Sequence, residues 1–252
     1  MKRIIFVRHG QSTQNKAFTD NKSYDKNSVK LTDEGKKQAM ITGKYLYKIF
    51  GKFDKVYSSP ATRCIETANI IMEEINHKKK LDIDESLIEI GYKSNKLDGL
   101  SKDESYKLYN SFTLNLPKDK LFNGIKTFRQ LEKKLEETVN PYDRTKLFNI
   151  GVKIDNQYLK MKPNASQVKN NIKKFLNNLK KTDNETILVI SHIGCINQVQ
   201  KIICNIDNIM DIQIISSNLD TNKLLGNCCI CCLGLENNKL TLVLPANTNH
   251  LK

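Results

Sequence analysis

The segment at residues 3–12 reads RIIFVRHGQS, in which four apolar residues are followed by an arginine, a histidine and a glycine. The consecutive apolar residues Ile4 to Val7 predict a short strand that is covered on both faces, as in a parallel sheet. The stretch TILVIS at 186–191 has the same character and is also followed by a histidine. Because stretches with helical spacing separate such strands, the chain is predicted to adopt an α/β fold.

Short apolar runs and helical periodicities alternate over most of the chain. The predicted strands are 3–7, 55–58, 81–83, 186–191, 228–233 and 240–244. The predicted helices are 32–50, 60–75, 168–179 and 196–204, and each has Thr, Ser or Asn candidates for its N-cap. The pattern therefore indicates a sheet with helices packed on both faces.

The lysine-rich stretch 101–163 interrupts this alternation. The spacing of Phe128, Leu131 and Leu135 is amphipathic, and the stretch contains no clear strand, so we predict a mostly helical insertion. Such an insertion either decorates the surface or covers an active site. We expect a cap, because long excursions in compact domains are often functional. Residues 1–252 are accordingly expected to form a single domain that carries this insertion.

Composition narrows the class of protein. The chain has 252 residues, a net charge of +14 and 39% hydrophobic residues, which is typical of a globular protein. The basic excess suits an anionic ligand, but no basic run is interleaved with aromatic residues, so we expect no nucleic-acid partner. No apolar stretch approaches the roughly 20 residues of a membrane helix, so no membrane partner is expected. A homodimer is left open.

Seven cysteines and the absence of a recognisable targeting segment predict a cytoplasmic protein. Cys228, Cys229, Cys231 and Cys232 have the two-residue gaps of a zinc knuckle. On a strand, however, Cys228 and Cys232 would point to one face and the other two to the opposite face. Four ligands would not converge, so we predict buried packing residues and no metal.

Two predicted strands end in residues suited to phosphate chemistry. Side chains just beyond the carboxyl ends of strands in an α/β sheet face the ligand crevice. Arg8 offers a fork for phosphoryl oxygens, and His9 is a candidate nucleophile toward phosphorus. Gly10 is expected to let the backbone turn close to the ligand. His192 follows the strand at 186–191 and precedes a helix, so it is expected at the same edge.

A second guanidinium is predicted at this edge. Ser59 suits the N-cap of a helix, and Pro60 suits its first position. This placement puts Arg63 in the opening turn, where the positive end of the helix also favours an anion.

Together these motifs resemble the histidine phosphatase superfamily, the phosphoglycerate-mutase-like group of branch 1 type. The matching segments are 8–12 with Asn15, 31–35, 58–63, 87–89, 191–194 and 247–251. The resemblance implies a three-layer α/β/α fold with a mostly parallel central sheet. It also implies a phosphohistidine mechanism that uses neither a metal nor a cofactor.

The resemblance further assigns roles to individual residues. His9 would take the phosphoryl group on one ring nitrogen while a backbone acceptor holds the other. Glu89 would protonate the leaving alkoxide and then activate water, with Asp82, Asp84 and Glu85 as rivals for this role. The phosphoryl oxygens would be bound by Arg8, Asn15, Arg63 and His192. The wider substrate site would include Gln11, Ser12, Ile193 and Gly194.

Three functions fit these residues. We favour a phosphomonoesterase of the histidine acid phosphatase type, a hydrolase acting on a small phosphorylated metabolite or a phosphoprotein. A phosphoglycerate mutase, an isomerase, is the first rival; mutases of this group usually carry Trp-Asn and a Gly-Trp segment after the histidine motif. This chain has Gln14-Asn15 there and no tryptophan. A non-catalytic module that binds phosphate or an acidic partner is the second rival, but such a module would not need His9.

Overall fold

The computed structural model describes residues 1–93, 95–112, 114–138, 140–206 and 226–251. Its described part contains a 6-stranded sheet in the order β3-β2-β4-β1-β5-β6. Strands β1 to β4 pair in parallel, whereas β5 runs antiparallel to both of its neighbours. The strands are β1 (Lys2–Arg8), β2 (Lys55–Ser58), β3 (Asp82–Ile83), β4 (Thr186–Ser191), β5 (Ile230–Glu236) and β6 (Lys239–Asn247).

Helices cover both faces of this sheet, which confirms the three-layer α/β/α fold. They are α1 (Thr13–Thr19), α2 (Asp33–Phe50), α3 (Thr62–Glu74), α4 (Lys102–Asn110), α5 (Phe128–Glu137), α6 (Pro141–Ile154), α7 (Ala165–Lys180) and α8 (Ile193–Cys204). Helices α2 and α3 pack on one face, and α7 and α8 pack on the other. Helix α1 was not predicted. No helix in the described ranges is both long enough and apolar enough to cross a membrane.

The strand that opens the chain shows why its apolar residues are consecutive. Ile4 and Phe6 pack against α7 and α8, whereas Ile5 and Val7 pack against α2 and α3. All four side chains are 0% exposed. Burying side chains of this size stabilises the fold by about 1.5–3 kcal/mol each. The strand therefore contributes to both cores and fixes the position of His9 at its end.

The cysteine cluster divides between the two cores, as predicted. Cys229 and Cys231 pack with the α7 and α8 core, whereas Cys228 and Cys232 pack with the α2 and α3 core. All four thiols are unpaired and buried. Within the described ranges, no group of three or more His, Cys, Asp or Glu side chains could hold a metal ion.

The stretch 101–163 builds a third apolar cluster of its own. Helices α4, α5 and α6 contribute Tyr109, Leu131 and Leu147 to it, and each of these side chains is at most 8% exposed. The rings of Tyr109 and Phe128 stack at a centroid distance of 3.8 Å. This cluster places α4 and α5 over the carboxyl ends of the strands.

One local prediction, the start of α3, was wrong. Helix α3 begins at Thr62 with Ala61 as its N-cap, two residues later than Ser59 and Pro60 would place it. The amide of Ser59 instead donates to the Ile190 carbonyl of β4 at 3.0 Å, so this residue bonds to the sheet just beyond the end of β2. Arg63 nevertheless lies in the first turn of α3.

Gly10 has a structural role that the sequence did not indicate. A Cβ there would lie 2.4 Å from the carbonyl oxygen of Gly35 at the start of α2, and a Cβ on Gly35 would lie 2.0 Å from the carbonyl oxygen of Gln11. The glycines are thus required by a close approach between two backbone segments. This approach explains the glycine in the fold, and a turn of the Gly10 backbone close to the ligand stays a prediction.

Candidate active site

A cavity of about 820 Å³ lies at the carboxyl ends of β1 and β2, beneath α4 and α5. Five of the residues singled out in the sequence line it: Arg8, His9, Asn15, Arg63 and Glu89. His192 is buried directly behind them, with its ring centroid 5.3 Å from that of His9. The folded chain therefore brings together residues that are up to 184 positions apart in sequence, from Arg8 to His192.

His9 is held with one ring nitrogen facing the cavity. Its Nδ1 lies 2.8 Å from the Gly10 carbonyl oxygen, which only accepts hydrogen bonds, so Nδ1 carries the proton. Burial, and then the charges of Arg63 and Arg8, lower the pKa of His9 well below its usual value. The imidazole is therefore neutral, and Nε2 has the lone pair that a nucleophile needs.

Arg63 joins the two histidines. Its Nε donates to His9 Nε2 at 3.1 Å, and its Nη2 donates to His192 Nδ1 at 3.2 Å. The guanidinium thus lies against the very nitrogen that would attack phosphorus. A phosphoryl group arriving at His9 would offer stronger, charged acceptors to the same N–H groups.

Ser59 orients the second histidine. Because Arg63 only donates, His192 Nδ1 must accept, so the neutral ring carries its proton on Nε2 and donates to Ser59 Oγ at 2.8 Å. Burial is the main cause that lowers the pKa of His192 well below its usual value, followed by the charge of Arg63. Sequence reasoning missed this role of Ser59. The only available signal was its position at the carboxyl end of β2.

Asn15 is oriented by its neighbours. Its Oδ1 accepts from the amide and hydroxyl of Ser12 at 3.1 and 3.0 Å and from Asn227 Nδ2 at 3.0 Å. The NH₂ group is therefore the part of Asn15 that can donate to a ligand. Gln11 and Ser12 are not among the described residues that line the cavity. Gln11 Oε1 instead accepts from Thr32 at 2.8 Å, and substrate contact by Gln11 and Ser12 stays a prediction.

Glu89 is placed at the start of α8. Its carboxylate accepts from the amides of Ile90 at 2.8 Å and Gly194 at 3.2 Å, and a Cβ on Gly194 would lie 2.0 Å from Glu89 Oε1. Burial raises the pKa of Glu89, although both amides and the nearby guanidinium groups oppose the shift. Gly194 thus contacts Glu89, while direct contact of Ile193 and Gly194 with substrate stays a prediction.

The three rival carboxyl groups have other partners. Asp82 pairs with Lys55, and Asp84 accepts from the Ser86 amide at 2.8 Å as the cap of a short helical turn. Glu85 is exposed, with Lys93 4.0 Å away. None of the three is among the described residues lining the cavity, which include two other carboxylates besides Glu89, namely Asp98 and Glu132. The sequence analysis did not single out Asp98.

Comparison with known proteins agrees with this geometry. Residues 4–147 match the family model of the histidine phosphatase superfamily, branch 1. The chain belongs to this superfamily. The matched residues include all five predicted site residues that line the cavity, namely Arg8, His9, Asn15, Arg63 and Glu89, whereas His192 lies beyond them.

The curated relatives of this histidine phosphatase superfamily member include both mutases and phosphatases. The 2,3-bisphosphoglycerate-dependent phosphoglycerate mutase of Elusimicrobium minutum is 32% identical over 121 residues, which is 46% of this chain and 45% of the mutase. The mitochondrial serine/threonine-protein phosphatase Pgam5 of Drosophila persimilis is 40% identical over 76 residues, 30% of this chain and 24% of the phosphatase. The matches thus span less than half of these relatives.

Solved structures show the same division. A phosphoglycerate mutase from Bacillus anthracis superimposes with a TM-score of 0.64 at 18% identity, covering 96% of this chain and 91% of the mutase. A phosphoserine phosphatase from Entamoeba histolytica, in complex with 3-phosphoglyceric acid, superimposes with a TM-score of 0.59 at 18% identity, covering 100% of both chains. At such identities the likeness shows the fold of the superfamily.

Glu89→Gln is expected to slow hydrolysis of alkyl phosphates by about 10²–10⁴-fold, the usual contribution of general acid–base catalysis. Hydrolysis of p-nitrophenyl phosphate should fall much less, because its leaving group needs little protonation. In the wild type, the rate on alkyl phosphates should decline as pH rises through the raised pKa of Glu89, and the variant should lose this decline. Steady-state kinetics on both substrates across pH, with the exposed Glu85→Gln as control, measure this.

The same substitution should leave the fold intact. A carboxyl whose folded-state pKa is raised stabilises the fold while protonated, and this contribution is lost as pH rises. At neutral pH, Glu89→Gln should therefore be at least as stable as the wild type in thermal unfolding. An equal loss of activity on both substrates would instead assign the proton donor to another carboxyl.

Proposed function

We propose that this chain is a phosphomonoesterase that works through a phosphohistidine on His9, without a metal, and passes the phosphoryl group to water. The observation that supports it most is the guanidinium of Arg63, which donates to both histidines and faces the cavity. A neutral imidazole beside preorganised cationic donors suits attack on a phosphate dianion.

In the first step, His9 Nε2 forms a bond to phosphorus while the ester P–O bond breaks. Arg8, Arg63 and the Asn15 amide would stabilise the charge on the three phosphoryl oxygens. Glu89, whose pKa is raised by burial, transfers its proton to the departing oxygen, so the product leaves as an alcohol. His9 Nδ1 keeps its proton throughout, stabilised by the Gly10 carbonyl.

In the second step, the carboxylate of Glu89 takes a proton from water as the water oxygen attacks phosphorus. The P–N bond breaks, and its electron pair returns to His9 Nε2. Phosphate leaves, Glu89 is again protonated, and Arg63 returns to the two ring nitrogens. The cycle consumes one ester and one water, and no other reactant is needed.

The size of the cavity supports water as the acceptor. Its volume of about 820 Å³ lies in the range that drug-sized ligands occupy. A three-carbon acid phosphate would leave much of it to water, which needs about 30 Å³ per molecule. Part of the wall comes from α4 and α5, so we also propose that 101–163 acts as a cap that admits solvent.

A phosphoglycerate mutase remains the alternative, because relatives of both kinds match the chain. We expect phosphate release from monoesters in the presence of a chelator, with interconversion of 3- and 2-phosphoglycerate at least about a hundredfold slower. This ratio corresponds to ~2.7 kcal/mol in the barrier. The measurement is a panel of phosphorylated metabolites and phosphopeptides, assayed for both products.

His9→Ala protein, prepared identically, reports any contaminating host enzyme in both assays. Interconversion as fast as hydrolysis would replace the proposal by the mutase. Tight phosphate binding with neither activity would favour the non-catalytic module.

A further inference from the structure

The part of the cavity distant from His9 is built by three segments: α1 with the loop after it, the loop before α4, and the helices of the 101–163 stretch. Its walls carry both aromatic rings and charged groups. Phe18, Tyr24, Tyr92, Tyr106, Tyr109 and Phe128 are the aromatic residues that line the cavity. Because the phosphoryl group occupies the His9 end, these walls face whatever is esterified to it.

Two carboxylates of this wall accept from tyrosine hydroxyls, Glu132 from Tyr106 and Asp98 from Tyr24. Tyr24 donates from its hydroxyl to Asp98 Oδ1 at 3.4 Å, and Gln14 Nε2 donates to the Tyr24 hydroxyl at 2.7 Å. The Tyr24 amide also donates to the Gly99 carbonyl at 3.1 Å, which ties the two loops together beside the carboxylate. Among the described residues, no cation lies within ion-pair distance of Asp98.

A carboxylate at this position opposes the binding of a purely anionic ligand. Burial raises the pKa of Asp98, and the hydrogen bond from Tyr24 and the charges of Lys26 and Arg63 oppose this shift, so Asp98 in turn acts on a phosphate dianion bound at Arg63. Glu89 already supplies the proton donor beside the Gly194 amide. Asp98 is therefore available to bind a leaving group that carries a positive charge. A protonated amine compensates the carboxylate by charge and by donating hydrogen bonds.

The aromatic wall suits the same group. The Lys102 ammonium already lies over the rings of Phe18 and Tyr106, at 5.8 Å from each centroid. The faces of aromatic rings attract ammonium groups, and this attraction strengthens away from bulk water. An alkylammonium group next to Asp98 would likewise lie close to an aromatic ring, that of Tyr24.

We propose that Asp98 determines leaving-group specificity by binding a protonated amine, so that the substrates are phosphate monoesters of amino alcohols. Tyr24 is a positioning residue that orients the Asp98 carboxylate. This inference rests on the proposed phosphomonoesterase function.

The test compares leaving groups of matched size. The wild type is assayed on 2-aminoethyl and 4-aminobutyl phosphate, each against the corresponding hydroxyalkyl and alkyl phosphates, and on carboxymethyl phosphate. We expect kcat/KM at least about tenfold higher for an amine than for the alkyl ester of the same length, since hydrogen bonds to charged groups are strong. Asp98→Asn should abolish this preference, and because it removes a charge that opposes the phosphate dianion, it should not lower kcat/KM for p-nitrophenyl phosphate.

Two further variants separate recognition from general damage. Tyr24→Phe keeps the ring and removes the hydroxyl, so it should lower kcat/KM for the amines alone, by a smaller factor. Asp25→Asn removes a carboxylate of the same loop that is exposed and is not among the described residues lining the cavity, so it should change nothing. Calorimetric binding of the same esters to His9→Ala protein should give the same order without turnover.

The outcomes separate the two proposals. Hydrolysis of p-nitrophenyl phosphate with no preference for an amine at either length overturns the role of Asp98 alone. A preference for carboxymethyl phosphate overturns it too. A loss on all alkyl esters in Asp98→Asn, with p-nitrophenyl phosphate spared, would make Asp98 the proton donor and not a specificity residue. Amine-selective binding to His9→Ala without any turnover by the wild type would retain the subsite and reject the phosphomonoesterase.

Discussion

His9→Ala is expected to lower phosphate release by about 10⁴-fold or more, the scale on which loss of the nucleophile affects other covalent enzymes. The reason is that Nε2 is the group that would bond to phosphorus, and alanine offers no substitute. The fold should survive. The Gly10 carbonyl and Arg63 each lose one partner, which costs about 1–3 kcal/mol per unsatisfied group, against the usual 5–15 kcal/mol for a domain.

Rapid quenching of the wild type with radiolabelled ester should trap the phosphoryl group on the protein. Phosphohistidine is acid-labile, so label that survives acid and is lost in base would point to a different nucleophile. His77→Ala is the matched control, because His77 Nδ1 donates to the Phe53 carbonyl at 3.1 Å and His77 lies beyond the C-terminal end of α3, at the opposite end from Arg63. Near wild-type activity in His9→Ala would disprove the mechanism.

Arg63→Ala should produce the second largest effect, a loss of about 10²–10³-fold or more in kcat/KM. Removing one preorganised donor from a developing anion typically costs about 3–4 kcal/mol, and Arg63 presents two donors at once, to His9 and His192. Arg8→Ala should also cost at least about 10²-fold. Vanadate, as an anionic mimic of the phosphoryl group, should inhibit the wild type competitively and both variants much less.

Arg63→Lys separates charge from geometry. A lysine keeps the positive charge but lacks the planar fork, so it cannot donate to both ring nitrogens in the same way. We expect it to recover only a minor part of the lost activity. Arg3→Ala, on the exposed start of β1, is the control for a lost guanidinium. Unchanged vanadate inhibition in the Arg63 and Arg8 variants would place the phosphate pocket elsewhere.

Much of this fold was predictable because its decisive interactions are local in sequence. The side chains of the apolar run Ile4 to Val7 are buried on both faces of the strand. Hydrophobicity alone therefore indicates a covered strand, whichever segments of the chain cover it. The same period of two predicted the division of the cysteines between the cores. Arg8 and His9 follow a strand end, where the geometry of an α/β sheet places ligand-binding residues.

Tertiary structure alone decided how those residues are used. The Arg63 bond to His9, the Ser59 bond to His192 and the Gly194 bond to Glu89 each join segments 54 to 133 residues apart. No local pattern encodes such pairs, because only the packed sheet and its loops set these distances. Ser59 illustrates the limit: its type and its neighbour Pro60 suited a helix cap, yet its amide bonds to β4 just beyond the end of β2 and its hydroxyl orients His192. Asp98 likewise is recognisable as a candidate binding residue only in the folded chain. Its burial and the charges around it depend on neighbours that are remote in sequence.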